Sequence, residues 1–172
     1  MRYIVMLFLA ANALFASIDN ITSFQADFVQ KITDDKQKTL SYKGHIRALK
    51  PQYALWQYVK PVKKEIYINE LKVAIVEDEL EQVIIKKLSS NIDMFRLLKT
   101  AKKISKNRYI TKYNDTDFYI NMQNGMIKSI SYKDEFDNNV EIVFSNQKQN
   151  QKIDKTVFIL NIPQDYDILR DF

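Results

Sequence analysis

The chain has 172 residues, 46% of them apolar, a formal net charge of +5, three Pro, two Gly, one His and no Cys. That length fits one domain of the usual about 100 to 200 residues. The inventory excludes disulfides, cysteine metal sites, histidine-pair acid–base chemistry and phosphate-cradling glycine loops.

Met1 to Ala16 reads MRYIVMLFLAANALFA, with only Arg2 and Asn12 outside the apolar set. A basic start, an apolar run and small residues before Ser17 describe a secretory signal peptide, expected to be cut after Ala16 or, alternatively, after Ala13. The uncharged stretch begins at Tyr3 and stops at Asp19, short of the roughly 20 apolar residues of a membrane span. Residues 17–172 are then expected to be one exported domain. Ser17 stands where a lipoprotein signal needs Cys for acylation, so no lipid anchor is expected.

Period-two alternation dominates the rest. A short helical turn at Ile18 to Thr22 precedes a strand at Ser23 to Ile32, with Phe24, Ala26 and Phe28 on one face. After a polar turn, Leu40, Tyr42, Gly44, Ile46 and Ala48 share a face of the next strand, opposite Lys43, His45 and Arg47. A third strand runs from Tyr53 to Val59 between Pro51 and Pro61, which belong at strand ends. Further strands are expected at Glu65 to Asn69, Lys72 to Glu77 and Gln82 to Lys87.

The period changes over Ser89 to Ile104, which predicts a helix. Ser89 or Ser90 caps it, Ile92, Phe95 and Leu98 lie on one side with Met94 and Leu97 flanking, and Lys99, Lys102 and Lys103 suit its C-terminal dipole. Strands resume at Arg108 to Tyr113 and Asp117 to Met122; Asn124-Gly125 then marks a hairpin into Met126 to Lys133. Asn139 to Ser145 follows, then a solvated loop from Asn146 to Asp154 and a last strand at Thr156 to Ile162. About ten or eleven antiparallel strands form either a sandwich or a curled, interrupted barrel, since a flat sheet that wide leaves long open edges. In the barrel the Ser89 to Ile104 helix is a lid over the apolar inner face.

Little here carries catalysis. His45 shares a strand face with Lys43 and Arg47 and points to solvent. Glu77-Asp78-Glu79 and Glu81 lack the spacing and turn glycine of a calcium loop and read as a solvated hairpin tip. The lysine pairs are dispersed and not interleaved with stacking aromatics, so no nucleic-acid partner is expected. A hydrolase built on Asp115 and Asp117 is the weakest alternative. An exported β-rich chain with ten Phe and ten Tyr suits a container better than a reactor.

The segment Phe24-x-Ala26-x-Phe28-x-Gln30, then Gly44, then Lys50-Pro51 followed by Trp56 and Pro61, resembles the N-terminal pattern of the LolA family of periplasmic outer-membrane lipoprotein carriers. Ile68 to Val73, Leu80-Glu81-Gln82-Val83 and Phe158 with Pro163-Gln164 continue the resemblance in the family's order, from Ser23 to Asp171. All three prolines and the single tryptophan fall on family positions. The missing Cys is unlike the related receptor LolB, itself a lipoprotein.

The resemblance implies a mainly β fold, an incomplete antiparallel β-barrel with a helical lid over an apolar cavity. It implies a non-enzymatic, cofactor-free, monomeric chaperone of the periplasm that shields lipoprotein acyl chains between inner and outer membrane. Implied partners are acylated lipoproteins, an inner-membrane lipoprotein-release ABC complex (LolCDE-like) and an outer-membrane receptor (LolB-like). On this reading Phe24, Phe28, Trp56, Tyr58, Met94, Phe95 and Leu98 are expected to bind acyl chains. Lys50 stands where the family has the arginine that latches its lid, keeping the charge without the planar fork. Ala54 replaces a bulky apolar family residue, and Glu70 a turn glycine. The alternative is a periplasmic binding or sensor protein for another lipophile.

Overall fold

A computed structural model describes residues 18–70, 72–87 and 94–171. The predicted signal peptide and the first residues of the predicted helix, Ser89 to Asp93, lie outside the described residues. A 3-10 turn at Ile18–Asn20 leads into β1 (Ser23–Thr33), β2 (Thr39–Leu49), β3 (Tyr53–Lys60), β4 (Lys64–Asn69), β5 (Lys72–Glu77) and β6 (Gln82–Lys87). After α1 (Met94–Thr100) come β7 (Lys102–Ser105), β8 (Arg108–Tyr113), β9 (Thr116–Gln123), β10 (Met126–Lys133), β11 (Asn139–Gln149) and β12 (Asp167–Asp171).

All twelve strands form one open sheet in the order β12-β6-β5-β4-β3-β2-β1-β11-β10-β9-β8-β7. Neighbours are antiparallel except β12, which runs parallel to β6. The interrupted barrel is thus an open sheet whose edge strands do not meet. It curls enough for residues from β4 to β9 to face one hollow. The alternation seen in the sequence fixes the faces. Phe28 pairs with Gly44 and Phe144, and Ile46 with Trp56, so apolar side chains converge on the inner face. Phe24, Phe28, Ile46, Ile120, Phe144 and Leu98 are buried in the core there, with Ile18 and Ile21 of the N-terminal turn.

Gly44 has a steric cause. A Cβ built on it would lie 2.1 Å from the Gln57 carbonyl oxygen and 2.7 Å from the Phe28 ring. The register of β2 against β3 also shifts at Lys43/Gly44, so the absent side chain admits the aromatic ring where the strand bulges. Asn124 and Gly125, at φ 52 and 75, make the expected two-residue hairpin. At the opposite rim, Asp34 and Asp134 organise two matching turns, each accepting two backbone N–H groups on one carboxylate oxygen.

Three expectations need correction. The helix stops at Thr100, because Lys102, Lys103 and Ile104 belong to β7, where Lys102 and Lys103 pair along the edge of β8 and the register shifts across Ile104; the basic run that read as a helix end fits an exposed edge strand equally well. The alternation of β11 continues to Gln149 in place of a loop from Asn146, since polar residues on both faces hide a strand that still pairs with β1. No strand forms over Thr156 to Ile162. Asp154 accepts the Thr156 N–H and caps a 3-10 turn at Lys155–Phe158, and the final strand follows Pro163.

Phe158 is buried on the outer face, where its turn packs on β3 and β4 and its ring lies 5.7 Å from Tyr53. Leu55, Val76 and Val83 are buried outside the main inner core. The Phe158 turn therefore gives β3 and β4 an apolar cover that the inner-face pattern does not reveal.

Candidate functional site

Between the inner face and α1 lies an apolar hollow of about 170 Å³. Its floor and walls are Ile46 and Ala48 of β2, Ala54 and Trp56 of β3, Ile68 of β4, Phe118 of β9, Ile130 and Tyr132 of β10, and Ile142 and Phe144 of β11; Gln52 and Tyr53 complete one side. Met94, Phe95 and Leu97 of α1 form the roof. Ala48 and Ala54 are direct cross-strand partners, and two small side chains facing each other leave room beneath the helix.

Three of the seven residues expected to contact acyl chains, Trp56, Met94 and Phe95, line this hollow. Phe24, Phe28, Tyr58 and Leu98 do not. Phe28 packs edge-on against Trp56 and Tyr58, each at 5.1 Å, and Phe24 against Phe144 at 5.2 Å. They hold the wall residues in place. The residues missed by the sequence reading, among them Ile46, Ile130, Ile142 and Phe144, share the inward parity of their strands; parity names the face but not the level at which α1 crosses it.

Lys50 sits where the sequence suggested a latch. Its Nζ donates to the Asp19 carbonyl oxygen at 3.1 Å and lies 5.9 Å from the centre of the Phe95 ring. It thus touches both the N-terminal turn and α1. The other end of α1 is tied to β8 through the paired Thr100 and Thr111 hydroxyls, 2.7 Å apart, and through Arg96 over the Tyr113 ring. The seven described residues of α1 are too few to be stable as a helix alone in water, so these contacts and the buried Phe95, Leu97 and Leu98 hold them.

Toward the rim, the Tyr58 hydroxyl donates to Gln30 Oε1 at 2.8 Å. Burial, with Tyr132 and Tyr42 nearby, pushes its pKa up to about 12. Burial also raises Tyr132, helped by the charge of Asp134.

No group of three His, Asp or Glu among the described residues is placed to hold a metal ion. His45 is exposed and pairs with Asp27 on the outer face; Asp27 is held below the usual carboxylate range first by Asn146 and then by His45. Asp115 and Asp117 border a polar hollow of about 710 Å³ at the rim, which shares the Tyr132 side chain with the apolar one. No helix among the described residues is long and apolar enough to cross a membrane.

Residues 19–161 match the family model described as outer membrane lipoprotein carrier protein LolA. The outer-membrane lipoprotein carrier protein of Campylobacter jejuni subsp. jejuni is 44% identical over 163 residues, covering 95% of this chain and 95% of that protein. Its counterpart in Wolinella succinogenes is 33% identical over 169 residues, covering 97% and 98%. Among solved structures, an uncharacterized conserved protein from Thermus thermophilus superposes with a TM-score of 0.55 at 12% identity, over 91% of this chain and 95% of that one. A LolA superfamily protein from Nitrosomonas europaea gives 0.52 at 9% identity, over 84% and 94%. At such identities these two speak for the fold alone.

Proposed function

The chain belongs to the LolA family of outer membrane lipoprotein carrier proteins, and from that premise we propose that the hollow under α1 receives the acyl chains of its cargo. The protein is a lipoprotein carrier and not an enzyme. The observation that supports the acyl-chain reading is the apolar hollow roofed by a helix.

Magnitudes favour a moving roof. The hollow of about 170 Å³ is below the roughly 300–1,000 Å³ of ordinary ligand pockets, so α1 must swing away before a long chain enters. The polar tethers of α1 include a hydroxyl pair and two cation–ring contacts, each worth about 1 kcal/mol, while the Lys50 hydrogen bond goes to Asp19 of the N-terminal turn. Burying a methylene yields about 0.8 kcal/mol. One long chain therefore outweighs the polar tethers. In this scheme Trp56, Met94 and Phe95 touch the chains, Phe24, Phe28, Tyr58 and Leu98 support them, and Lys50 latches the closed roof.

The working form is a monomer of residues 17–172, a single domain freed from its signal peptide in the periplasm. It takes cargo from an inner-membrane lipoprotein-release ABC complex and delivers it to an outer-membrane receptor or to the membrane. The test is mass spectrometry of the protein purified from the periplasm: bound acylated protein supports the reading, and free lipid alone contradicts it in favour of a binding or sensor protein for another lipophile.

A further inference from the structure

Toward the rim that carries the 34–38 and 134–138 turns, the inner face changes from apolar to hydrogen-bonding. Each change comes two residues beyond an apolar or glycine position: Gln30 after Phe28 on β1, Tyr58 after Trp56 on β3, Tyr132 after Ile130 on β10, and Tyr42 beyond Gly44 on β2. Gln30 and Tyr42 are cross-strand partners. The Tyr42 and Tyr58 rings meet edge-on at 5.9 Å, and Tyr132 both lines the apolar hollow and packs on Phe118 at 4.7 Å. Tyr132 thus joins the row to the hollow.

Its donors are not all used. Gln30 is only 9% exposed and accepts from Tyr58, yet its amide nitrogen has no hydrogen-bond partner among the described residues, and neither do the hydroxyls of Tyr42 and Tyr132. These open donors reach solvent at the rim, since every buried side-chain nitrogen or oxygen among the described residues has a partner. Several open donors at the end of an apolar hollow are the arrangement of a ligand site, in which a few placed polar groups orient an apolar molecule. Burial shifts Tyr58 and Tyr132 further above the ordinary tyrosine range, and both hydroxyls are donors near neutral pH, as in any tyrosine. Lys64 Nζ, 4.9 Å from the centre of the Tyr58 ring, adds positive charge on the same side.

Resting on the carrier reading, we propose that Gln30, Tyr42, Tyr58 and Tyr132 form a polar collar that hydrogen-bonds the ester and amide carbonyls through which the acyl chains join the cargo. The chains run from the collar into the hollow. The carbonyls are acceptors and the collar supplies donors, so the collar sets how deep the chains sit and which end faces the rim. A hydrocarbon without carbonyls lacks this anchor.

The test uses two soluble probes with equal chains, a dioctanoyl diester and a dioctyl diether of an S-glycerylcysteine peptide, titrated against the fluorescence of Trp56, the single tryptophan. The readout is the ratio of the two affinities. The wild type should prefer the diester by about tenfold, the effect of one to two hydrogen bonds, and Tyr42→Phe/Tyr132→Phe should reduce the ratio to about twofold or less. The single variant Tyr42→Phe, at a half-buried position, should show part of the loss should the double variant fold poorly. Equal binding of the two probes by the wild type, or a preference that survives the substitutions, overturns the collar while leaving the carrier reading intact. Binding of neither probe overturns both.

Discussion

Filling the hollow separates a binding cavity from an ordinary core. Ala54 lines it and faces Ala48 across β3 and β2, so Ala54→Leu adds three carbons to a space of about 170 Å³. At about 0.8 kcal/mol per buried methylene the added carbons contribute about 2.4 kcal/mol, less about 0.5–1 kcal/mol of leucine rotamer entropy. The unliganded protein should gain about 1.5 kcal/mol, and its Tm should rise by about 3–6 °C. The same carbons exclude about three methylenes of cargo, so acyl-probe binding should weaken on the order of 50-fold. Thermal unfolding by circular dichroism and a titration of Trp56 fluorescence read the two effects. A variant that is less stable than wild type, with unchanged probe affinity, would refute the reasoning: the space beneath α1 would then be closed core.

Lys50→Leu should loosen the roof by about 1 kcal/mol; amide exchange in Met94–Thr100 should quicken about fivefold, with the central strands unaffected, and Lys50→Arg should restore protection. Unchanged exchange in α1 would remove Lys50 as a latch. Gly44→Ala drives a methyl into the Gln57 carbonyl and the Phe28 ring and should cost about 3 kcal/mol in urea unfolding; a loss below about 0.5 kcal/mol would mean that the bulge yields freely. Phe158→Ala should cost about 3–5 kcal/mol by stripping the outer-face cover, yet leave acyl-probe affinity within about twofold. A large fall in probe affinity in a folded variant would show that the two faces are coupled.

The strands were legible because alternation, Pro51, Pro61 and Asn124-Gly125 are local signals whose cause lies within a few residues. The face shared by Phe24, Ala26 and Phe28 is the buried one for the same reason. Elements whose cause is distant were misread. Lys102 to Ser105 form a strand only because β8 offers an edge, and β12 forms only because β6 does. Phe158, though apolar in an alternating run, is held in a turn by Asp154 and covers the outer face. The site was half legible: Trp56, Met94, Phe95 and Lys50 stand out by type or position, whereas the Ala48–Ala54 pair creates space by being small, a signal visible only once the strands are in register.

The central claim is that acyl chains lie beneath α1 against Trp56. A lipopeptide with brominated acyl chains tests it directly, because bromine quenches indole emission only at near-contact distance and Trp56 is the single tryptophan. Strong quenching by the brominated lipopeptide, absent with its unbrominated twin at equal occupancy, is the expected result. Equal emission with the two ligands, both demonstrably bound, would place the chains elsewhere and contradict the account.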